Sequence, residues 1–191
     1  MTTEIKKYTV KVPSDISIYY CDNTQIVIFS NSFKRRALKL KLKLSINTER
    51  KTIQVTQDPF FSVANHDRKK LKILRATYVV LIKQLMLEIE TSFCKRLALV
   101  GVGYKAVLLE ISNINILHLK LGYSHNIFIK VPKTLRIFCL KANKFFIKGD
   151  SYTFVTQIAA VIRSYKVPEP YKGKGILYST EKVVLKEGKK I

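Results

Sequence analysis

The chain reads as an α+β protein of two tandem duplicated domains, residues 1–93 and 94–191, each a small, mostly antiparallel sheet packed on one helix. Three observations carry that expectation. A shift of 119 residues lays Lys11-Val12-Pro13 on Lys130-Val131-Pro132 and continues without a gap. It brings Ile16 and Ile18 onto Leu135 and Ile137, Tyr19 onto Phe138, Ile26-Val27-Ile28 onto Phe145-Phe146-Ile147, and Asn31-Ser32 onto Asp150-Ser151. Two segments, one in each half, keep apolar residues at helical spacing, and around them run short strand-like stretches cut by polar turns.

Each copy of the repeat opens with an extended Lys-Val-Pro lead-in, then a strand, a polar turn (Asp22-Asn23-Thr24 or Lys141-Ala142-Asn143) and a second strand, which makes a hairpin. In the first domain a further hairpin over residues 38–56, Leu38–Leu44 with Thr52–Thr56, is inserted before the helix. That helix runs over about residues 67–92 from Asp67, with Leu71, Leu74, Tyr78, Leu81, Leu85, Ile89 and Phe93 on one stripe. Lys70, Lys72, Arg75 and Lys83 fall on its opposite, solvated face. Lys95–Tyr123 supplies strands to the second domain. After the second hairpin, Val155, Ile158, Ile162 and Tyr165 mark a helix over about residues 151–165. Asp150 or Ser151 can cap its first amides, and Pro168 forbids much continuation.

Charge narrows the function. Lys and Arg number 35 against 13 Asp and Glu, a formal charge of +22, so the free protein repels itself and seeks a polyanion. A hydrophobic fraction of 47% is too high for a disordered basic tail, and a chain of 191 residues can bury roughly 70% of its unfolded surface. A membrane span is not expected, because even Tyr78–Leu87 is interrupted by Lys83 and Gln84. Nucleic acid is the partner that remains. Cys21, Cys94 and Cys139 lie far apart in or beside apolar runs and read as buried free thiols of a reducing compartment. His66, His118 and His125 have no partner at ligand spacing, so no metal and no cofactor are expected.

The densest chemistry is in Pro168-Glu169-Pro170-Tyr171-Lys172-Gly173-Lys174-Gly175. Pro168 and Pro170 fix φ and stiffen the segment, which lowers the entropy lost on docking. Gly173 and Gly175 admit close approach of backbone amides to phosphate or 2′-OH groups. Lys172 and Lys174, two apart in an extended run, point the same way. With Arg163 and Lys166 they are the leading phosphate ligands, and Lys95, Arg96, Lys105, Lys186, Lys189 and Lys190 are secondary ones. Tyr171 and Tyr178 either stack on RNA or pack on their own domain. A competing motif, Gly101-Val102-Gly103-Tyr104-Lys105-Ala106, has the glycine spacing of a dinucleotide fingerprint. It should open a helix and precede an acidic residue about 20 positions on. Instead a strand-like Val107-Leu108-Leu109-Glu110-Ile111 follows, so the glycines read as relief of crowding in a bent strand.

Four separated motifs carry a family resemblance, in order. Leu99–Ala106, Leu119–His125, Ile147–Asp150 with the helix through Gln157–Tyr165, and Pro168–Gly175 resemble the signatures of the large-subunit ribosomal protein six family, bacterial and organellar type. The likeness covers Cys94–Lys190 and extends more weakly over Lys11–Phe93; Ser30-Asn31-Ser32-Phe33-Lys34 departs from the Gly-rich turn of bacterial members. The resemblance implies a structural constituent of the large ribosomal subunit and not an enzyme. Its second domain would lie on large-subunit rRNA near the sarcin–ricin, factor-binding region, beside neighbouring ribosomal proteins, and would serve translation factors indirectly. Lys in excess of Arg, with abundant Ile, Phe, Asn and Tyr, suits an AT-rich coding genome. That favours a mitochondrial ribosome, with a plastid or AT-rich bacterial cytoplasm as the alternative. The rival functions are a free, sequence-tolerant RNA-binding or assembly protein and a nucleotide-binding enzyme using Gly101–Ala106.

Overall fold

The computed structural model describes residues 8–61, 68–111 and 114–188. The chain divides into two units, Met1–Thr91 and Ser92–Ile191. Unit 1 holds β1 (Thr9–Lys11), β2 (Ser17–Cys21), β3 (Ile26–Ser30), β4 (Arg35–Lys39), β5 (Leu42–Asn47), β6 (Thr52–Pro59) and α1 (Arg68–Glu90). Unit 2 holds β7 (Phe93–Val100), β8 (Lys105–Ile111), β9 (Ile114–Lys120), β10 (Ile127–Lys130), β11 (Leu135–Lys141), β12 (Lys144–Gly149), α2 (Tyr152–Ser164) and β13 (Gly175–Tyr178). This is an α+β architecture of two tandem sheet-and-helix units, as the patterning implies. The expected helix start at Asp67 lies outside the described residues.

Both units follow one order of elements. A leading strand is followed by a three-stranded meander (β2-β3-β4 or β8-β9-β10) and then by a hairpin (β5-β6 or β11-β12). The second hairpin strand returns to pair with the leading one, β6 with β1 and β12 with β7. α1 packs on β6 and β1, α2 on β12 and β7. The hairpin thought to be inserted in unit 1 is thus the counterpart of β11-β12 and part of the framework. The expected strand Leu38–Leu44 is split, because β4 ends at Lys39 beside β3 and the chain crosses through buried Leu40 to begin β5.

The shift of 119 residues is therefore not the register of the duplication, since it pairs the first hairpin of unit 1 with the last hairpin of unit 2. It arises because each unit is itself made of two three-strand halves that exchange their first strands. The Val12 N–H donates to Lys51 O at 2.9 Å, and the Leu40 N–H donates to Gln25 O at 2.8 Å. The acceptors stand just before β6 and β3 and are the two non-glycine residues of positive φ among the described residues, +46° and +58°. Unit 2 repeats the arrangement with Leu99 N–H to Asn143 O at 2.8 Å and Val131 N–H to Asn115 O at 2.9 Å. Val12, Leu40, Leu99 and Val131 are all buried. One half-unit thus recurs four times, and the gapless match joins the first to the fourth, which share the Lys-Val-Pro lead-in. Even there the pairing slips. Ile18 faces Phe29 while Ile137 faces Ile147, because an irregularity between Cys139 and Lys141 displaces the second hairpin by one residue. Buried Val27 and Phe29 accordingly match Phe145 and Ile147, not Phe146 and Lys148.

Each helix seats an apolar stripe on its sheet, and each stripe differs from the expected one. On α1 the buried apolar residues are Tyr78, Val79, Ile82, Met86 and Ile89, while Leu81 is exposed and Phe93 belongs to β7. Arg75, expected on the solvated face, is 7% exposed. Its Nε donates to Val55 O at 2.7 Å and its guanidinium lies 3.9 Å from the Tyr8 ring centre, so the buried cation is held by a carbonyl dipole and a π face. On α2 the buried residues are Val155, Ala159 and Ile162. Tyr165 is exposed at the helix end, where its carbonyl is used as described below. The three cysteines are free but exposed, contrary to the expectation of buried thiols; Cys21 and Cys94 alternate with inward residues of β2 and β7, and Cys139 stands at the irregularity of β11.

Candidate nucleic-acid interface

The segment between α2 and β13 folds back on itself as a hook. Three backbone bonds close it from base to tip: Ile176 N–H to Lys166 O at 2.8 Å, Glu169 N–H to Lys174 O at 3.0 Å, and Gly173 N–H to Glu169 O at 2.9 Å. β13 then pairs antiparallel with β7, Gly175 opposite Val100 and Ile176 opposite Leu99, so the base of the hook is part of the sheet. The tail adds a strap, Lys186 N–H to Pro170 O at 2.9 Å.

The closure requires both glycines. Gly173 turns the tip at φ +66° and spends its amide on Glu169 O. Gly175, at φ +154°, is buried against Pro168, whose Cα would lie 2.6 Å from any Cβ placed there. A rigid Pro168 backbone thus stacks where only glycine leaves room. Because the segment is turned and not extended, its lysines do not share a direction. Lys172 stands exposed on the turn with Tyr171 and Pro170, and Lys174 faces a hollow on the inner side.

The hollow, about 400 Å³, is lined by Tyr104, Tyr123, Lys166, Glu169 and Lys174 together with Ser164, Tyr165 and Val167. Tyr123 Oη donates to Tyr165 O at 2.9 Å, and the Lys166 ammonium lies 4.4 Å from the Tyr123 ring centre. His125 stacks beside Tyr123, ring centres 5.6 Å apart and 15° from parallel. Tyr104, Tyr123 and His125 were not among the residues expected at the site. Their signal was present in Leu119–His125 and Gly101–Ala106, but only the fold brings these two loops to the hook.

Of the other expected ligands, Arg163 is already engaged. Arg163 forms a two-pronged pair with Glu181, Nη2 to Oε1 at 2.6 Å and Nε to Oε2 at 3.1 Å. That bond holds the Glu181 carboxyl below the usual carboxylate range, with the Tyr178 N–H assisting, and raises Arg163 further. Tyr178 packs against the core of unit 2 with Arg163 and Lys95 near its ring, 5.7 and 5.8 Å from its centre. Of the two tyrosines left open by the sequence, Tyr178 is therefore the packing one and Tyr171, 55% exposed, the available one. Arg96 and Lys105 are exposed on β7 and β8, and Lys186 is exposed beside the hook. Lys189 and Lys190 lie outside the described residues.

The glycine motif at Gly101–Ala106 makes a strand-to-strand turn between β7 and β8 and opens no helix. Gly101 is needed because a Cβ would meet the Tyr104 ring at 2.9 Å. The spacing is thus explained by packing against Tyr104 at Gly101 and by a backbone φ of +77° in open space at Gly103.

Comparison with known proteins adds an independent line. The profile of the family described as Ribosomal protein L6 matches residues 100–179, the stretch holding the Tyr104 turn, the Tyr123 loop, α2 and the hook. A large ribosomal subunit protein uL6 of Mycoplasmoides gallisepticum is 34% identical over 189 residues, 98% of this chain and 96% of that protein. The large ribosomal subunit protein uL6m of Reclinomonas americana is 37% identical over 186 residues, 95% of each chain. Likeness at this level runs through both units, and on that ground the chain belongs to the Ribosomal protein L6 family.

Proposed function

We propose that this protein is a structural constituent of the large ribosomal subunit and that unit 2 is its rRNA-binding domain, holding the RNA by the outer face of the hook. The carrying observation is the hook itself: a three-bond ladder rooted in the sheet presents Lys172, Tyr171 and Pro170 to solvent on a chain of net charge +22. Cations on a rigid mount neutralise phosphates with little ordering cost and release counterions, and a lysine contributes charge without reading sequence. Lys166, Lys174 and Lys186 extend the positive field around the hook, and Lys95, Arg96 and Lys105 extend it along β7 and β8. Arg163 acts through Glu181, by fixing the start of the tail. The role is architectural and not enzymatic. The relatives' names support the subunit, and the resemblance supports a position near the sarcin–ricin, factor-binding region among neighbouring ribosomal proteins, where the protein serves translation factors indirectly.

Lysine-rich, Ile- and Asn-rich composition and the Reclinomonas americana relative support a mitochondrial ribosome. The Mycoplasmoides gallisepticum relative supports the second reading, a bacterial cytoplasm. Immunogold labelling or organelle fractionation separates them. For the rRNA role, charge reversal at Lys172 and Lys174 is expected to impair incorporation into large subunits far more than reversal at Lys70 and Lys72 of α1. Equal effects would remove the hook from its role. Sedimentation as RNA-free monomer at moderate salt would favour a free RNA-binding or assembly protein instead.

A further inference from the structure

We propose that the hollow between the hook and the Tyr123 loop is a site for one unstacked nucleobase, so that unit 2 holds a single nucleotide of its RNA by the base as well as by phosphate. The proposal rests on the reading that the chain binds RNA, and adds to it a ligand for the inner face of the hook.

Phosphate contacts need no cavity, yet a half-open hollow of about 400 Å³ is present, large enough to admit one base. Its lining combines the three kinds of group a nucleotide requires. Tyr104 and Tyr123 supply flat rings, Lys166 and Lys174 supply cations for the flanking phosphate, and Glu169 supplies an acceptor for an exocyclic amine or a 2′-OH. A merely solvated basic groove would not place two aromatic rings and a carboxylate together.

The walls are also fixed before any ligand arrives. Tyr104 is wedged where Gly101 and Gly122 lack side chains, a Cβ at either position falling 2.9 and 3.1 Å from its ring. Tyr123 is tied to Tyr165 O at 2.9 Å, with Lys166 over its ring at 4.4 Å. Lys166 O, Glu169 N–H and Lys174 O are all members of the hook's ladder. His125 stacks on Tyr123, ring centres 5.6 Å apart, and steadies it further. Pre-formed walls remove the ordering cost that would otherwise offset stacking. A base paired in a helix cannot enter such a hollow, so the occupant is a bulged or loop nucleotide.

The test uses the full chain and two RNA probes of equal length and charge, a hexa-adenylate and its fully abasic counterpart, titrated by fluorescence anisotropy at fixed salt. The unmodified chain is expected to bind the base-bearing probe about tenfold more tightly, a factor within the range of base–aromatic stacking. Tyr123→Leu should abolish the difference, Tyr123→Phe should keep it, and Lys172→Glu should weaken both probes alike; circular dichroism of each variant checks the fold. Equal affinity of the unmodified chain for the two probes overturns the base site while leaving the phosphate grip intact. A Tyr123→Leu loss that is equal for both probes also overturns it, because Tyr123 would then act only through structure. Binding to neither probe overturns the RNA reading itself.

Discussion

Gly175 anchors the base of the hook. Its φ of +154° and the Pro168 Cα, 2.6 Å from where a side chain's Cβ would stand, combine backbone strain with collision against backbone that cannot rotate away. Gly175→Ala is expected to destabilise unit 2 by more than about 2 kcal/mol in urea denaturation, whereas Gly188→Ala, in open space, should change stability by less than about 0.5 kcal/mol. Glu181 sets a second, pH-dependent hold on the same region. Its carboxyl is depressed in the folded state by Arg163, so the folded chain carries fewer protons than the unfolded chain below the ordinary carboxylate value. The pair's contribution is present above that value and fades as pH falls through the depressed one. Thermal melts between neutral and acid pH should show this loss in the unmodified chain and a flatter dependence in Glu181→Gln. At this scale the sequence was partly legible. Pro168 and Gly175 stood out as backbone punctuation, but that they pack on each other, and that Arg163 is already paired, follows only from the return of β13 along β7.

Among elements, the two helices show how far periodicity reaches. The existence and span of α2 were readable within a residue at either end, because Val155 and Ile162 fall on one face and Pro168 closes the run. α1 was readable as a helix but not in its facing, since Ile73, Val80 and Leu87 are apolar and exposed while Arg75 is basic and buried. A stripe drawn through apolar residues alone cannot know that the Val55 carbonyl of β6 needs a donor. Arg75→Met is therefore expected to cost about 1–3 kcal/mol, the penalty for leaving that carbonyl unpaired, against less than about 0.5 kcal/mol for Lys83→Ala on the exposed face. Comparing denaturation midpoints at constant m-value checks both. The strands behave likewise. Alternation located β2, β3, β11 and β12, yet the break of residues 38–44 between two sheets was hidden, because buried Leu40 continues the alternation across the crossing.

For the whole molecule, a half-unit used four times explains why a gapless repeat could be seen and still mislead. The Lys-Val-Pro lead-ins mark equivalent half-units that occupy opposite places in their own units, so local similarity was legible while the order of the halves depended on strand pairing tens of residues away. The candidate site was legible to the extent that its cations sit in one continuous segment, Lys166–Gly175. Its aromatic wall was not, since Tyr104 and Tyr123 arrive from loops far back in the chain. An excess of 35 basic over 13 acidic residues makes RNA affinity salt-dependent, and Lys172→Ala should lower the slope of log affinity against log salt by about one contact's worth, close to 0.9 on a duplex probe. The most direct measurement is a density map of the assembled large subunit containing this chain. The Lys172 ammonium is expected within about 4 Å of an rRNA phosphate oxygen, with the turn at Pro170–Lys172 against the RNA backbone; a hook facing bulk solvent, with no RNA near it, would remove the hook from rRNA binding.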